Sequence, residues 1–126
     1  MRLRSPLARV RHLGSAKDGT AHWWMQRVTA LALVPLAVWF AAALVFHLGA
    51  GYEATQAWIG HPLTGGLLLV LIVATFYHGF LGLQVVIEDY VHHEGVKIAA
   101  ILLVKFVSIL LGLAAVLATL KIILSQ

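Results

Sequence analysis

Cysteine is absent from the 126 residues. No disulfide framework, thiolate metal site or thiol nucleophile can exist, so any metal must be held by histidine or carboxylate. Charge is scarce as well, since Asp, Glu, Lys and Arg together make 11% of the chain, against about a quarter in an ordinary soluble domain. Acids are scarcest, five against nine Lys and Arg, and none precedes Asp18. So little charge argues against a nucleic-acid surface. Proline occurs three times, and Pro35 falls inside an apolar run, where a kink is expected. No repeat, low-complexity linker or second domain is visible.

What is present is apolar surface: 61% hydrophobic residues and a mean hydropathy of +0.92. A short soluble core cannot absorb that excess, and the apolar residues gather in three blocks rather than at amphipathic spacing. The expected fold class is an all-α integral membrane protein, a single membrane-anchor domain over residues 1–126. Val28 to Leu48 is 21 residues without Asp, Glu, Lys or Arg, about the thickness of the hydrocarbon layer when helical. Leu63 to Ile87 gives 25 more, introduced by "HPLT" and closed by "EDY", so this helix must tilt or protrude. Ile98 to Leu124 contains Lys105 and Lys121, whose side chains can snorkel outward; Lys105 could instead pair with an acid on a partner helix. The predicted spans are 27–49, 62–90 and 96–124, after a basic segment 1–26.

The first block is longer than the roughly 7–15 residues of a signal-peptide core and should remain in the mature protein. "MRLRSPLARVRHLG" reads as a basic juxtamembrane segment rather than a transit peptide. Six of the nine Lys and Arg precede the first span and the first connection has none, which puts the amino terminus in the cytoplasm and the carboxyl terminus outside. The basic residues Arg2, Arg4, Arg9, Arg11 and Lys17 suit anionic lipid or the acidic face of a peripheral subunit. Trp23, Trp24, Tyr52, Trp58 and Tyr90 fall near span ends, as interfacial rings do. The small residues Gly65, Gly66, Gly82, Gly112, Ala114 and Ala115 would let helices approach closely. Three spans make a thin bundle, which should share its core with another membrane subunit in a larger heteromeric bundle.

The second span carries the chemistry. At about 100° per residue, His78, Gly82, Val85 and Asp89 share one stripe. Glycine one turn from the histidine leaves a flat gap, fit for close helix packing or for a planar ligand. With Tyr90 at the membrane edge, His78 lies about 18 Å along the helix from it, where an unpaired imidazole is costly. Its partner is either a Ser/Thr hydroxyl or carbonyl of a neighbouring helix, or a metal, and the residues alone leave both open. If Arg27 is level with Tyr90, His47 differs from His78 in depth by roughly 12 Å, too far to share an iron. His47 is then interfacial, and His12, His22, His61, His92 and His93, outside the spans, are expected to be solvated.

The run "RVTALALVP" after "SAKDGTAHWWMQ", with "HGFLGLQVVIEDYV" in the second span, resembles the small hydrophobic membrane-anchor subunit of succinate dehydrogenase, respiratory complex II. That subunit pairs with the cytochrome b556 anchor subunit. The specific part is an Arg at the start of the first span, then His, Gly four residues later, and Asp-Tyr eleven and twelve residues after the His. The resemblance implies that His78 is one axial ligand of a b-type haem iron, with the other from the partner anchor, and that Gly82 packs beside the haem. It implies that Arg27, with His22, lies near the haem propionates. Tyr90 with Asp89 would belong to a ubiquinone site next to the iron–sulfur subunit, itself joined to the flavoprotein subunit; Gln84 receives no role. A phenol can donate to a quinone oxygen that becomes negative on reduction, while Glu88, Asp89, His92 and His93 could hold it or relay protons. The implied location is the bacterial cytoplasmic membrane, with the mitochondrial inner membrane as the alternative. Two rival readings are a small transporter or proton relay through His78, Asp89 and Lys105, and a structural anchor without cofactor.

Overall fold

The structure, a computed structural model, describes residues 17–125, with side chains from Gly19 onward. It contains four helices: α1, Lys17–Phe46; α2, Tyr52–Gly60; α3, Pro62–Tyr90; and α4, Glu94–Leu124. No strand occurs among the described residues. Three of the four, α1, α3 and α4, are long and apolar enough to cross a membrane, and lipid favours helices because each satisfies its own backbone hydrogen bonds. The chain is an all-α, multi-pass membrane protein.

Helix α1 begins about ten residues before the apolar run and so carries His22, Trp23, Trp24 and Gln26 on helical faces. It continues helical through Pro35 and ends in a turn where Gly49 adopts φ +84°, a conformation glycine takes without steric cost. The first connection is not open loop, because Tyr52–Gly60 coils into α2 and returns Trp58 to the end of α1. There the Trp58 ring lies 6.3 Å from Trp39 and 4.4 Å from His47.

Two of the histidines expected to be solvated cap helices. His61 Nδ1 accepts from the Leu63 N–H at the start of α3, where Pro62 follows, and His93 Nδ1 accepts from the Val96 N–H at the start of α4. Each satisfies a backbone donor that the first helical turn leaves without a partner. Both remain exposed, as expected.

Helix α3 is the centre. It packs against both α1 and α4, and α2 packs across α3 and α4. The core is correspondingly thin: Leu68, Ala74 and Leu81, all on α3, are the buried apolar side chains among the described residues. Of the small residues, Gly65 and Gly112 admit close approach. A Cβ at Gly65 would stand 2.5 Å from Ile123 Cδ1 and 2.9 Å from the Ile59 carbonyl oxygen, and one at Gly112 would stand 3.3 Å from the Phe76 ring. Gly66 instead faces outward with no neighbour among the described residues, and Ala114 is exposed. Helix faces such as Leu31, Val34 and Val38 on α1, and Leu103, Phe106 and Leu110 on α4, remain exposed, as surfaces for lipid or another membrane chain do.

Candidate functional site

Several polar residues gather on the α1–α3 face. His22, Gln26 and Thr29 recur on α1 at helical spacing, and α3 presents His78 and Gly82 to them: Thr29 Oγ1 lies 3.0 Å from His78 Nδ1, and a Cβ at Gly82 would sit 3.7 Å from Gln26 Nε2. Thr29 is buried, at 7% exposure. Its hydroxyl also lies 2.7 Å from the Met25 carbonyl and 3.2 Å from that of Gln26. Two atoms in this cluster, His22 Nε2 and Gln26 Oε1, are buried with no hydrogen-bond partner among the described residues. His22 is therefore half-buried rather than fully solvated. An orphaned buried polar atom costs about 1–3 kcal/mol.

These contacts fix an antiparallel register that changes the expected levels. Thr29 is level with His78, and Gln26 with Gly82. Continued along the helices, Arg27 comes level with about Phe80 to Leu81, some 3 Å from His78, while Tyr90 is level with the start of α1. Arg27 and Tyr90 thus do not share a level. His47 lies about 27 Å along α1 from Thr29, so its separation from His78 is larger than the sequence suggests, and the two cannot bind one iron. His47 Nδ1 instead donates to the Ala43 carbonyl at 2.8 Å beside Trp58.

His78 Nε2 has no hydrogen-bond partner among the described residues, yet it is not among the buried orphans. It reaches the surface of the chain. Arg27 is exposed, its guanidinium 5.4 Å above the Trp23 ring, and it has no carboxylate partner among the described residues, where the one ion pair is Lys97–Glu94 at 2.9 Å. No three His, Asp or Glu side chains gather among the described residues, so a metal at His78 needs donors from beyond them.

The end of α3 is open. Tyr90 is 78% exposed, Asp89 is exposed, and neither makes a side-chain hydrogen bond among the described residues. Glu88 is engaged not by Tyr90 but by Gln84, whose Nε2 donates to Glu88 Oε1 at 2.8 Å. Lys105 lies on α4, lining a groove of about 360 Å³ with Phe76, Tyr77, Phe80 and Ser108. No hydrogen bond or ion pair links it to His78 or Asp89, so the three members of a possible relay are not joined.

A sequence model of the succinate dehydrogenase/fumarate reductase transmembrane subunit family matches residues 1–112. The chain belongs to this family. Among its relatives, the succinate dehydrogenase hydrophobic membrane anchor subunit of Rickettsia bellii (strain RML369-C) is 32% identical over 115 residues, covering 91% of this chain and 92% of the relative. The subunit of the same description from Paracoccus denitrificans is 30% identical over 102 residues, covering 81% and 78%. The succinate dehydrogenase membrane anchor subunit of Reclinomonas americana is 29% identical over 101 residues, covering 78% and 84%. No solved structure matches the chain. The family match spans α1, α2, α3 and most of α4, and so takes in the whole polar α1–α3 face.

Gln26 is the residue that sequence reasoning missed. It was visible as an uncharged polar residue one helical turn from His22 and one from Thr29, but only the packing of α1 on α3 shows that Gln26 lies against Gly82, one turn from the Thr29–His78 contact.

Proposed function

We propose that this chain is the small membrane anchor of a succinate:ubiquinone oxidoreductase, and that His78 supplies one axial ligand of a b-type haem whose other ligand comes from the cytochrome b556 anchor subunit. The observation that carries the reading is the imidazole of His78: one ring nitrogen is held by Thr29 and the other is unpartnered at the chain's surface. An intramembrane ionisable group left open toward a neighbour is a functional site by default. A solitary donor also matches a shared site, in which each of two subunits gives one ligand.

Arg27 suits the propionates because guanidinium pairs with carboxylate through two parallel hydrogen bonds. Its register strengthens the assignment. A residue level with Tyr90 would be about 18 Å from the His78 level, whereas Arg27 is about 3 Å from it. Gly82 contributes space, since a Cβ there meets nothing closer than 3.7 Å within the chain and no contact of this chain demands glycine. His22 Nε2, buried and unpartnered, can turn to the same group. When bound, a bis-histidine haem supplies one-electron redox chemistry with no open position for oxygen.

Tyr90 and Asp89 form the edge of the quinone site. Both are exposed with no partner of their own, and so free to meet a quinone and the iron–sulfur subunit. The Tyr90 hydroxyl donates to a quinone oxygen as negative charge develops there, while the Asp89 carboxylate beside it passes protons from the cytoplasm. The flavoprotein subunit sits behind the iron–sulfur subunit, and the complex lies in the bacterial cytoplasmic membrane with the amino terminus of this chain inside.

A reduced-minus-oxidised spectrum of the purified complex tests the ligand. The b-type α-band is expected to vanish in His78→Ala and to persist in His47→Ala; a full band in His78→Ala removes the assignment. For the quinone site, Tyr90→Phe should lower quinone-linked turnover about 10–100-fold, the worth of one hydrogen bond to a charged oxygen. Succinate oxidation with an artificial acceptor should be unchanged. Equal turnover with quinone would exclude Tyr90.

A further inference from the structure

We infer that Thr29 is a positioning residue for His78: its hydroxyl accepts the Nδ1 proton and so fixes the imidazole in the tautomer whose lone pair is on Nε2. This rests on the proposed role of His78 as a haem ligand and adds the group that prepares it.

The direction of the hydrogen bond follows from counting protons. A threonine hydroxyl has one hydrogen and two lone pairs. In a helix that hydrogen goes naturally to the carbonyl three or four residues back, and here the Met25 carbonyl is the shortest contact of Thr29 Oγ1, at 2.7 Å, with Gln26 at 3.2 Å on the same side. The hydroxyl proton is thus spent inside α1. Toward His78 Nδ1, 3.0 Å away, Oγ1 has only a lone pair to offer, so Nδ1 must carry the hydrogen and donate it. A neutral imidazole has one N–H, which leaves Nε2 bare, and Nε2 is the nitrogen that reaches the surface without a protein partner.

Thr119 provides an internal contrast. It is as buried as Thr29 and makes the same back-bond, to the Ala115 carbonyl at 2.9 Å, but its acceptor lone pairs meet no side-chain donor. The helix back-bond alone therefore does not call for a histidine opposite; at Thr29 the geometry has been extended into a second contact across helices. Histidines that bind metal through one nitrogen characteristically donate the other N–H to an acceptor, which orients the ring and raises its basicity. Thr29 serves that purpose with a neutral hydroxyl.

The assembled complex with Thr29→Ala and Thr29→Ser tests this. Both variants lose the methyl group, but only Ser keeps an acceptor for His78. The haem midpoint potential and the rate of haem loss in detergent are measured, with His78→Ala as the reference. Ser should match the native potential. Ala should raise it, because a less basic imidazole stabilises the oxidised iron less, and should lose haem about ten-fold faster, the lower end of the effect of an outer-shell partner. If Ala does not assemble, Thr29→Val, which keeps the volume without the hydroxyl, is compared with Ser instead. Ala or Val indistinguishable from Ser in both readouts overturns the role of Thr29. A full haem complement in His78→Ala overturns the ligand reading itself, a separate result.

Discussion

On its α4 side, α3 closes by steric fit, with Phe76 against Gly112 and Ile123 over Gly65; on its α1 side it meets His22, Gln26 and Thr29, and two buried polar atoms there have no partner. The first seam is held by close contacts within this chain, the second leaves polar atoms open, and the same helix therefore does structural work on one face and presents chemistry on the other. In lipid, apolar contact gives little drive for association, so close packing through small residues holds a seam, while polar atoms left open are costly and point to what is still to be bound.

The contrast can be broken by substitutions that should separate stability from spectrum. Gly65→Ala should have the largest structural effect, since the new Cβ would stand 2.9 Å from the backbone oxygen of Ile59 as well as against Ile123. Overpacking of this kind costs about 1–3 kcal/mol, read as a lower thermal midpoint for the complex, with the haem band per assembled complex unchanged. A changed band would mean that the two sides of α3 are coupled. Gly82→Ala should do the reverse: ordinary contact with Gln26 leaves stability within about 0.5 kcal/mol, while haem content or band position shifts. An unaltered spectrum would show that nothing outside the chain uses the gap. The smallest effect is expected from Glu94→Gln, which removes the exposed pair with Lys97 and should change stability by at most about 0.5 kcal/mol; a larger loss would mean that the start of α4 is an interface.

The comparison also shows where reading the sequence succeeds. Three apolar runs announced the three long helices, and the spacing of His78, Gly82, Asp89 and Tyr90 announced a family that the match over residues 1–112 bears out. Helix α2 was harder, because "YEATQAWIG" is nine residues long, has no side-chain cap and lies in what composition marks as a connection. The capping roles of His61 and His93 escaped because a histidine outside a span looks the same whether solvated or bonded to a helix terminus. The level of Arg27 was misplaced for a different reason: α1 begins about ten residues before its apolar run, so the edge of the hydrophobic block is not the end of the helix.

The sequence by itself determined the class, the number of long helices and the residues available for chemistry. Each of those follows from local quantities, the length of an uncharged run and the spacing along one helix, which lipid converts directly into helical spans. Which residues of different helices stand side by side was decided only by tertiary structure. The pairing of Thr29 with His78, the nearness of Arg27 to that level and the distance of His47 from it depend on how far one helix slides along another, and that sliding is set by contacts between residues far apart in the chain, 49 positions for Thr29 and His78, which no periodicity along the chain records.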